Sequence, residues 1–461
     1  MLKISKQSNE NILEKIAAGK IDAITLSTSS LVDDIILEMH KQGVTECIKK
    51  GLSDKRADNT TVPFDLTLIL AIAAKMKVHS SLTDIPFALT DHRTICELGY
   101  SMWDKQKKVG AGLMSEGIIR NLIGRYSAGE LIFGYNRILQ TQIMPHMNIS
   151  PDIHILDCTK LEVNYKNTNY EKSGISKDLD GKPMRGYKLA TLRGIVKDSG
   201  IIEDIRFGSA NIHDLELSRD MIFKSPVLKQ GDTLINDRGF LSRDIINQLK
   251  TVRKVNTYVP LRKNMDAYHM AVSIAQKGDN WQAHPRKKRV NQKISFVSAL
   301  GSFWRSDNPQ NDVDINACVV WDTKTNEYFV FVTTDTTKSA TQIIKTYELR
   351  PEIEEDYRQL KDFWKLEDFK STKIHVISFH IICVLLGYLF FQLFTMTSAG
   401  EFLAGKSFPV LMKNYIHRSC NYMIIYSEEI FWVLTMLEVV EIYSNCDPGT
   451  KEKIAEILKW L

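Results

Sequence analysis

The chain has 461 residues, of which 44% are apolar and 25% are charged. This length allows roughly two to four domains, and the composition excludes a mainly disordered, collagenous or coiled-coil protein. The net charge of +5, from 60 basic and 55 acidic side chains, permits an anionic partner without requiring one. The seven scattered cysteines form no CxxC pair, and the first residues have no apolar signal-peptide core, so a reducing cytoplasm is predicted.

The first 148 residues are predicted to be mainly helical, because their apolar residues recur at three- and four-residue intervals. From residue 151 short β-rich runs alternate with helical stretches, which predicts an α/β fold. The predicted strands include 153–156, 187–196, 232–236 and 257–261, followed by a hairpin at 317–321 and 328–334. A strongly helical stretch begins near residue 339, and the C-terminal tail is also predicted to be helical.

One apolar segment, residues 376–394, has nearly the length and composition of a membrane span. It contains Ser378, His380 and Gln392, and no second segment of comparable strength accompanies it. These features favour a buried core helix over a membrane helix.

The positive charge is concentrated between residues 250 and 305, a stretch that contains twelve basic residues and two acidic ones. This local net charge of +10 leaves −5 for the rest of the chain. Aromatic residues alternate with these cations, which suits phosphate neutralisation and base stacking. The alternative for the same pattern is a solvated loop with ordinary core aromatics. The most basic run is Arg286, Lys287, Lys288 and Arg289.

Three carboxylates are candidates for a metal site. Asp157 and Asp237 each follow a predicted strand, where ligand sites of α/β sheets gather, and Glu354 lies on a helix beginning near Pro351. Taken alone, each aspartate suits a turn and the glutamate suits a solvated helix surface. Together, three converging acids would repel one another unless a cation joined them, and Mg²⁺ is the natural choice.

The helix around Glu354 carries a second pattern. Tyr347, Arg350, Glu354 and Lys361 would share one narrow face of a continuous helix, at about 100° per residue. Pro351 interrupts that helix, which makes the alignment of the first two residues with the last two less secure. Two cations and a phenol beside a metal-binding glutamate would orient phosphate oxygens.

These residues resemble the Y-(2)-R-(3)-E-(6)-K motif of DDE transposases of the insertion-sequence-four type, and ILDCT and INDRGF resemble the contexts of their catalytic aspartates. The resemblance implies an RNase H-like mixed-sheet core, interrupted by a mostly β insertion domain, with helical N-terminal and C-terminal regions. It also implies that Asp157, Asp237 and Glu354 are the catalytic residues and bind two Mg²⁺ ions, with Mn²⁺ able to substitute. The predicted regions are a helical DNA-binding region at 1–148, the first part of the core at 149–262, the basic insertion at 263–315, the second part of the core at 316–395, and a helical region for dimerisation at 396–461.

The implied function is cut-and-paste DNA transposition in the bacterial cytoplasm, in association with the nucleoid. The expected partners are double-stranded DNA with terminal inverted repeats, target DNA, and a second copy of the chain in a synaptic complex. The expected DNA contacts are Tyr347, Arg350, Lys361, Arg238, Arg286, Lys287, Lys288 and Arg289. An aromatic residue that stacks on a displaced base would be Trp281, Trp304 or Trp321.

Two other functions remain open at this point. An RNase H-like nuclease that cuts without joining DNA would share the three carboxylates. A domesticated DNA-binding protein without catalytic activity would share the basic segment but would tolerate loss of the acidic residues.

Overall fold

A computed structural model describes residues 3–4, 14–15, 18, 20, 23–56, 62–100, 113–178, 180–196, 199–403, 420–427, 430–435, 438 and 443–458. The chain divides into two compact units. We call them the terminal unit (1–127, 362–370 and 379–461) and the sheet unit (128–361 and 371–378).

Within the described residues, the strands are β1 Lys3–Ile4, β2 Ala23–Ser29, β3 Ile153–Val163, β4 Gly174–Lys177, β5 Pro183–Val196, β6 Ser199–Ser209, β7 Thr233–Asn236, β8 Asn256–Pro260, β9 Gln282–Ala283, β10 Gln292–Val297, β11 Asn316–Asp322, β12 Glu327–Thr333, β13 Cys420–Ser427 and β14 Ile430–Thr435. The α-helices of the same residues are α1 Leu31–Lys41, α2 Val44–Gly51, α3 Phe64–Met76, α4 His92–Glu97, α5 Glu116–Ile123, α6 Ala128–Arg137, α7 Met144–His146, α8 Asp214–Lys224, α9 Arg243–Gln248, α10 Asp266–Gly278, α11 Ala340–Tyr347, α12 Pro351–Asp362, α13 Ile374–Thr395 and α14 Pro448–Leu458.

The terminal unit combines helices with a sheet. Its described strands follow the order β1-β14-β13-β2, and β13 and β14 form an antiparallel hairpin. The prediction of helical terminal regions is therefore wrong for these segments. Strand β13 contains two Ile and two Tyr, and β14 contains Ile, Phe, Trp and Val, all of which are residues that favour strands.

Helix α13 contains the long apolar segment. It is the one described helix long and apolar enough to cross a membrane. Its most apolar 18-residue stretch has a mean hydropathy of 2.2, but 78% of this stretch is buried inside the protein. From Phe379 onward the helix belongs to the terminal unit, although the prediction was that residues 316–395 form the second part of the core. A side chain at Gly387 would lie 3.1 Å from Met76 of α3, so the two helices approach closely there. This burial is typical of a core helix and does not indicate a membrane protein.

The sheet unit is built on a mixed sheet of ten described strands, in the order β4-β5-β3-β7-β8-β12-β11-β10-β9, with β6 also paired to β5. The pairs β3–β7 and β7–β8 are parallel, and the other pairs are antiparallel. The short apolar runs of β7 and β8 suit strands covered on both faces. The mixed α/β fold predicted from the sequence is confirmed, and it is consistent with an RNase H-like core.

The basic segment 263–315 does not form a separate sheet within the described residues. Its strands β9 and β10 continue the ten-stranded sheet through β11, and its longest element is the helix α10. Alanines along one side of α10 pack into a core cluster with Trp304 and residues of β11 and β12. The expectation of a mostly β insertion is corrected accordingly, because small apolar residues at helical spacing let α10 cover the extended sheet.

Candidate active site

The register of the central strands brings two aspartates together. Leu156 of β3 is aligned with Asn236 of β7 at the end of the parallel ladder, so Asp157 and Asp237 come next to each other there. The prediction that Asp157 follows a strand is wrong, because pairing with β5 continues β3 through this residue to Val163, whereas Asp237 does follow β7. Asp157 is the more enclosed of the two, with 13% of its side chain exposed against 40% for Asp237. Its Oδ1 accepts a 2.7 Å hydrogen bond from the backbone N–H of Cys158. This hydrogen bond fixes the orientation of the Asp157 carboxylate.

The helix expected across Tyr347 to Lys361 is broken, as Pro351 predicted. Tyr347 ends α11, Arg350 lies in the turn, and α12 begins at Pro351 with Glu354 in its first turn. The four residues therefore do not occupy one continuous helical face. The turn instead places the Arg350 side chain back over the start of α12 and toward β3.

Arg350 lies at the centre of the three carboxylates. Its Nη1 donates to Glu354 Oε1 at 2.6 Å and its Nη2 donates to Asp157 Oδ2 at 2.9 Å, while Asp237 Oδ2 lies 3.7 Å from Nη2. Its Nε is buried and makes no hydrogen bond. One guanidinium thus balances three acids that come from three different elements, but it is not fully satisfied itself.

Asp157 carries the clearest electrostatic perturbation of this cluster. Burial raises the pKa of its carboxyl group, Arg350 and the Cys158 N–H lower it, and Asp237 and Glu354 raise it again, to about 6. A single guanidinium therefore does not fully compensate the three acids and the cost of burial. More positive charge at this point would stabilise the ionised carboxylates.

The donor set fits a hard divalent cation in its chemistry. Carboxylate oxygens from three elements surround one positive centre, and such oxygens are the ligands that Mg²⁺ and Mn²⁺ prefer. As arranged, no group of three or more His, Cys, Asp or Glu side chains in the described part of the chain is close enough to hold a metal ion. The Arg350 guanidinium stands between the carboxylates, so it would have to give up these ion pairs for a cation to take its place.

Tyr347 and Lys361, the other two residues of the pattern, do not make equivalent contacts. The Tyr347 ring packs on Phe331 with centroids 4.6 Å apart, and burial raises the pKa of its phenol to about 12. It also lines a cavity of about 200 Å³ together with Arg350. Lys361 is half-buried and its Nζ donates to the backbone carbonyl of Lys160 on β3.

The basic run 286–289 divides into two kinds of side chain. Arg286 Nε and Arg289 Nε lie 2.6 and 3.1 Å from the carboxylate of Glu348, which is buried. Lys287 and Lys288 are exposed, as is Arg238 beside Asp237. The two arginines thus share the single charge of Glu348 and keep about half of their side chains exposed, at 52% and 45%, while the two lysines are also exposed.

The three candidate tryptophans also separate. Trp304 is fully buried and its Nε1 donates to Asn247 at 2.6 Å, so it is a core residue. Trp281 and Trp321 are half-buried, with ring centroids 5.4 Å apart. Tyr328 stacks on Trp321, and the Lys293 ammonium lies 5.7 Å from the Trp321 centroid.

Sequence reasoning missed the residues that hold α12 in place. Tyr357, Thr191 and Arg193 are buried and connect α12 to the central sheet. Tyr357 follows Glu354 by three residues and reads locally as an apolar helix position, so its hydroxyl contacts had no signal in the sequence. Glu348, the buried glutamate that pairs with Arg286, was also missed, because its partner is 62 residues away in the sequence.

A family model described as a transposase DDE domain matches residues 151–390, just over half of the chain. The matched range contains Asp157, Asp237 and Glu354. No curated protein matches the chain.

Proposed function

The chain belongs to the DDE transposase family, and from this premise we propose that it cuts DNA at the ends of an insertion sequence and joins them to target DNA. One observation carries the proposal: Asp157, Asp237 and Glu354 come from three different elements and surround a single positive side chain, that of Arg350. A purely structural ion pair needs one acid for one base. Three acids that meet where the parallel pairing of β3 and β7 ends suit a site for phosphoryl transfer.

In this proposal the three carboxylates would hold two divalent metal ions. These would be Mg²⁺, and Mn²⁺ could substitute for them. A divalent cation bound there supplies Lewis-acid stabilisation of the charge on the reacting phosphate and lowers the pKa of attacking water. The chain itself needs no covalent nucleophile, because positioning and charge neutralisation are sufficient for this chemistry.

Arg350 would grip a phosphate of the transposon end once its ion pairs with the carboxylates are released. A guanidinium suits this role because it can donate two parallel hydrogen bonds to phosphate oxygens. Tyr347 would contact the same strand through its hydroxyl, and Arg238 would add an exposed charge beside Asp237. Lys361 would add positive charge beside the same DNA strand, and its Nζ also donates to the Lys160 carbonyl of β3.

The edge of the extended sheet would hold the DNA outside the catalytic centre. The exposed Lys287 and Lys288 supply charge for the phosphate backbone, with Arg286 and Arg289 secondary because they pair with Glu348. Trp281 and Trp321 remain candidates for stacking on a displaced base, and Trp304 does not because it is buried. The DNA would carry terminal inverted repeats, and a second copy of the chain would bind the other end.

The proposal is tested by incubating the full chain with Mg²⁺ and duplex DNA carrying the inverted repeats that flank its gene. We expect wild type to cut the repeat ends and join them to a target plasmid, and Asp157→Ala and Glu354→Ala to do neither. Undiminished cleavage by both variants would overturn the assignment.

Glu355→Ala provides a matched control for Glu354→Ala. Glu355 lies on the same helix at similar exposure and pairs with Arg358, away from the carboxylate cluster. It should keep wild-type cleavage and joining. Cleavage without any joined product in wild type would instead support a nuclease that does not transfer strands.

A further inference from the structure

We propose that Tyr357 is a positioning residue that sets the separation between Glu354 and Asp157. The inference rests on the proposed function, because it concerns how two of the proposed metal ligands are held. Tyr357 lies on α12 three residues after Glu354, on the buried side of the helix. It touches neither the reacting atoms nor a carboxylate oxygen.

The Tyr357 hydroxyl joins the helix to the backbone of the first aspartate. It donates a 2.8 Å hydrogen bond to the carbonyl oxygen of Asp157 itself. The Thr191 hydroxyl lies 2.6 Å from the same phenol oxygen. A phenol has one proton, so Thr191 must donate to Tyr357 while Tyr357 donates to Asp157.

These contacts meet at one position of the sheet. Thr191 of β5 is directly opposite Asp157 of β3 in the antiparallel ladder. Tyr357 therefore attaches α12 to a cross-strand pair that contains the aspartate. The helix cannot slide along the sheet without breaking both hydrogen bonds.

A second attachment limits rotation of the helix. Arg193, two residues along β5 on the same face as Thr191, donates from Nε to Asp356 at 2.6 Å and from Nη1 to Glu352 at 2.9 Å. Those two acids flank Glu354 in the sequence. With attachments at these points, α12 is held both along its axis and about it.

Glu354 depends on these attachments because it has little support of its own. Its side chain is 55% exposed, and it forms an ion pair with Arg350, which would have to leave for a cation to bind. Once that pair is broken, the position of α12 decides where the Glu354 carboxylate stands. Groups that orient metal ligands in this way affect metal affinity by about 10- to 100-fold.

The test measures Mn²⁺ binding to the full chain with its end DNA, by loss of the free-ion signal in electron paramagnetic resonance. We expect Tyr357→Phe, which keeps the ring and removes the hydroxyl, to weaken Mn²⁺ binding about 10-fold. End-DNA affinity in the absence of metal should stay at the wild-type value.

Tyr135→Phe is the matched control. Tyr135 is also a buried tyrosine of the sheet unit, and its hydroxyl donates to the backbone carbonyl of Ile202 at 2.8 Å. Both variants lose one buried hydrogen bond, so their urea midpoints should shift by similar amounts. Tyr135→Phe should bind Mn²⁺ as wild type does.

A second pair of variants tests the other end of the hydrogen-bond chain. Thr191→Val removes the donor to Tyr357 and should weaken Mn²⁺ binding in the same direction as Tyr357→Phe, whereas Thr191→Ser keeps a hydroxyl and should restore wild-type affinity. Equal Mn²⁺ affinities for wild type, Tyr357→Phe and Thr191→Val would overturn the positioning role alone. An equal loss in Tyr135→Phe would also overturn it. Failure of wild type to bind Mn²⁺ would overturn the proposed metal site and this inference with it.

Discussion

Strand β3 carries two ion clusters, three residues apart, and they differ in access to solvent. His154 is fully buried between Glu203 and Asp232, with its ring nitrogens 2.7 and 3.1 Å from their carboxylates. Asp157 lies just beyond the last β3–β7 pair and shares Arg350 with two half-exposed acids. We call these the sealed cluster and the open cluster.

The comparison shows how burial separates a structural ion cluster from a site for chemistry. In the sealed cluster a cation is enclosed by two acids, so it can stabilise the fold but cannot meet a ligand. In the open cluster one cation is shared by three acids that solvent can reach. Charge count and strand position alone do not distinguish the two.

The largest expected effect is on catalysis in the open cluster. Asp157→Asn should lower the rate of end cleavage on the order of 10³-fold or more, because a proposed metal ligand loses its charge. The free energy of unfolding should change by less than about 1 kcal/mol, since two acids remain to pair with Arg350. Initial cleavage rates and urea unfolding of the same preparation measure both quantities. A large loss of stability in Asp157→Asn, together with the loss of activity, would contradict this distinction between the two clusters.

The next effect is on stability in the sealed cluster. His154→Leu should lower the free energy of unfolding by about 3–5 kcal/mol, because it leaves the buried carboxylates of Glu203 and Asp232 without their cation. Urea unfolding at neutral pH measures the change. The fraction that remains folded should cleave DNA at the wild-type rate. A loss below about 1 kcal/mol would mean that the cluster does not stabilise the fold through its charge.

The pH dependence of stability should also come from the sealed cluster. Burial lowers the pKa of His154, but the hydrogen bonds that its ring donates to Asp232 and Glu203 outweigh burial and raise the pKa to about 9, against an ordinary 6.5. The folded state therefore favours the charged ring. Its contribution is complete below pH 6.5 and is lost as the pH rises through about 9, a change of at most about 3 kcal/mol.

The measurement compares urea unfolding of wild type and His154→Leu between pH 6 and 9.5. The difference between the two curves should shrink as the pH rises. Other groups, such as buried Lys75 with its pKa lowered to about 8 by burial, contribute to both curves and cancel. A constant difference over this range would show that His154 does not titrate there.

The smallest expected effect extends the comparison to the basic run. Lys287→Ala should reduce the slope of log affinity for DNA against log salt concentration by about 1 and leave stability within about 0.5 kcal/mol, because the lysine is exposed. Arg286→Ala is the contrasting variant, since it removes a partner of buried Glu348 and should lower the free energy of unfolding by about 1 kcal/mol. Titrations at several salt concentrations test the pair. Equal salt slopes for Lys287→Ala and wild type would mean that this lysine contacts no phosphate.

Much of the sheet unit could be predicted from the sequence because its signals are local. The apolar runs before Asp157 and Asp237 predicted β3 and β7, and Pro351 predicted the break before α12. The hairpin β13–β14 could not be distinguished from a helix in the same way. Short apolar runs suit either element, and pairing with β2 is what stabilises strands there.

The chemistry of each element was determined by the sequence: which strands are next to a carboxylate or contain one, which helix begins with an acid, and where positive charge is concentrated. Only the tertiary structure decided which of these charges meet. The fold brings Glu348, 62 residues away in the sequence, beside Arg286, which the sequence alone assigned to DNA. The fold also brings the hydroxyl of Tyr357, which the sequence alone gave as a core residue, to the backbone of Asp157. The physical reason is that spacing along one element follows from local geometry, whereas contacts between elements depend on strand register and on packing among distant segments.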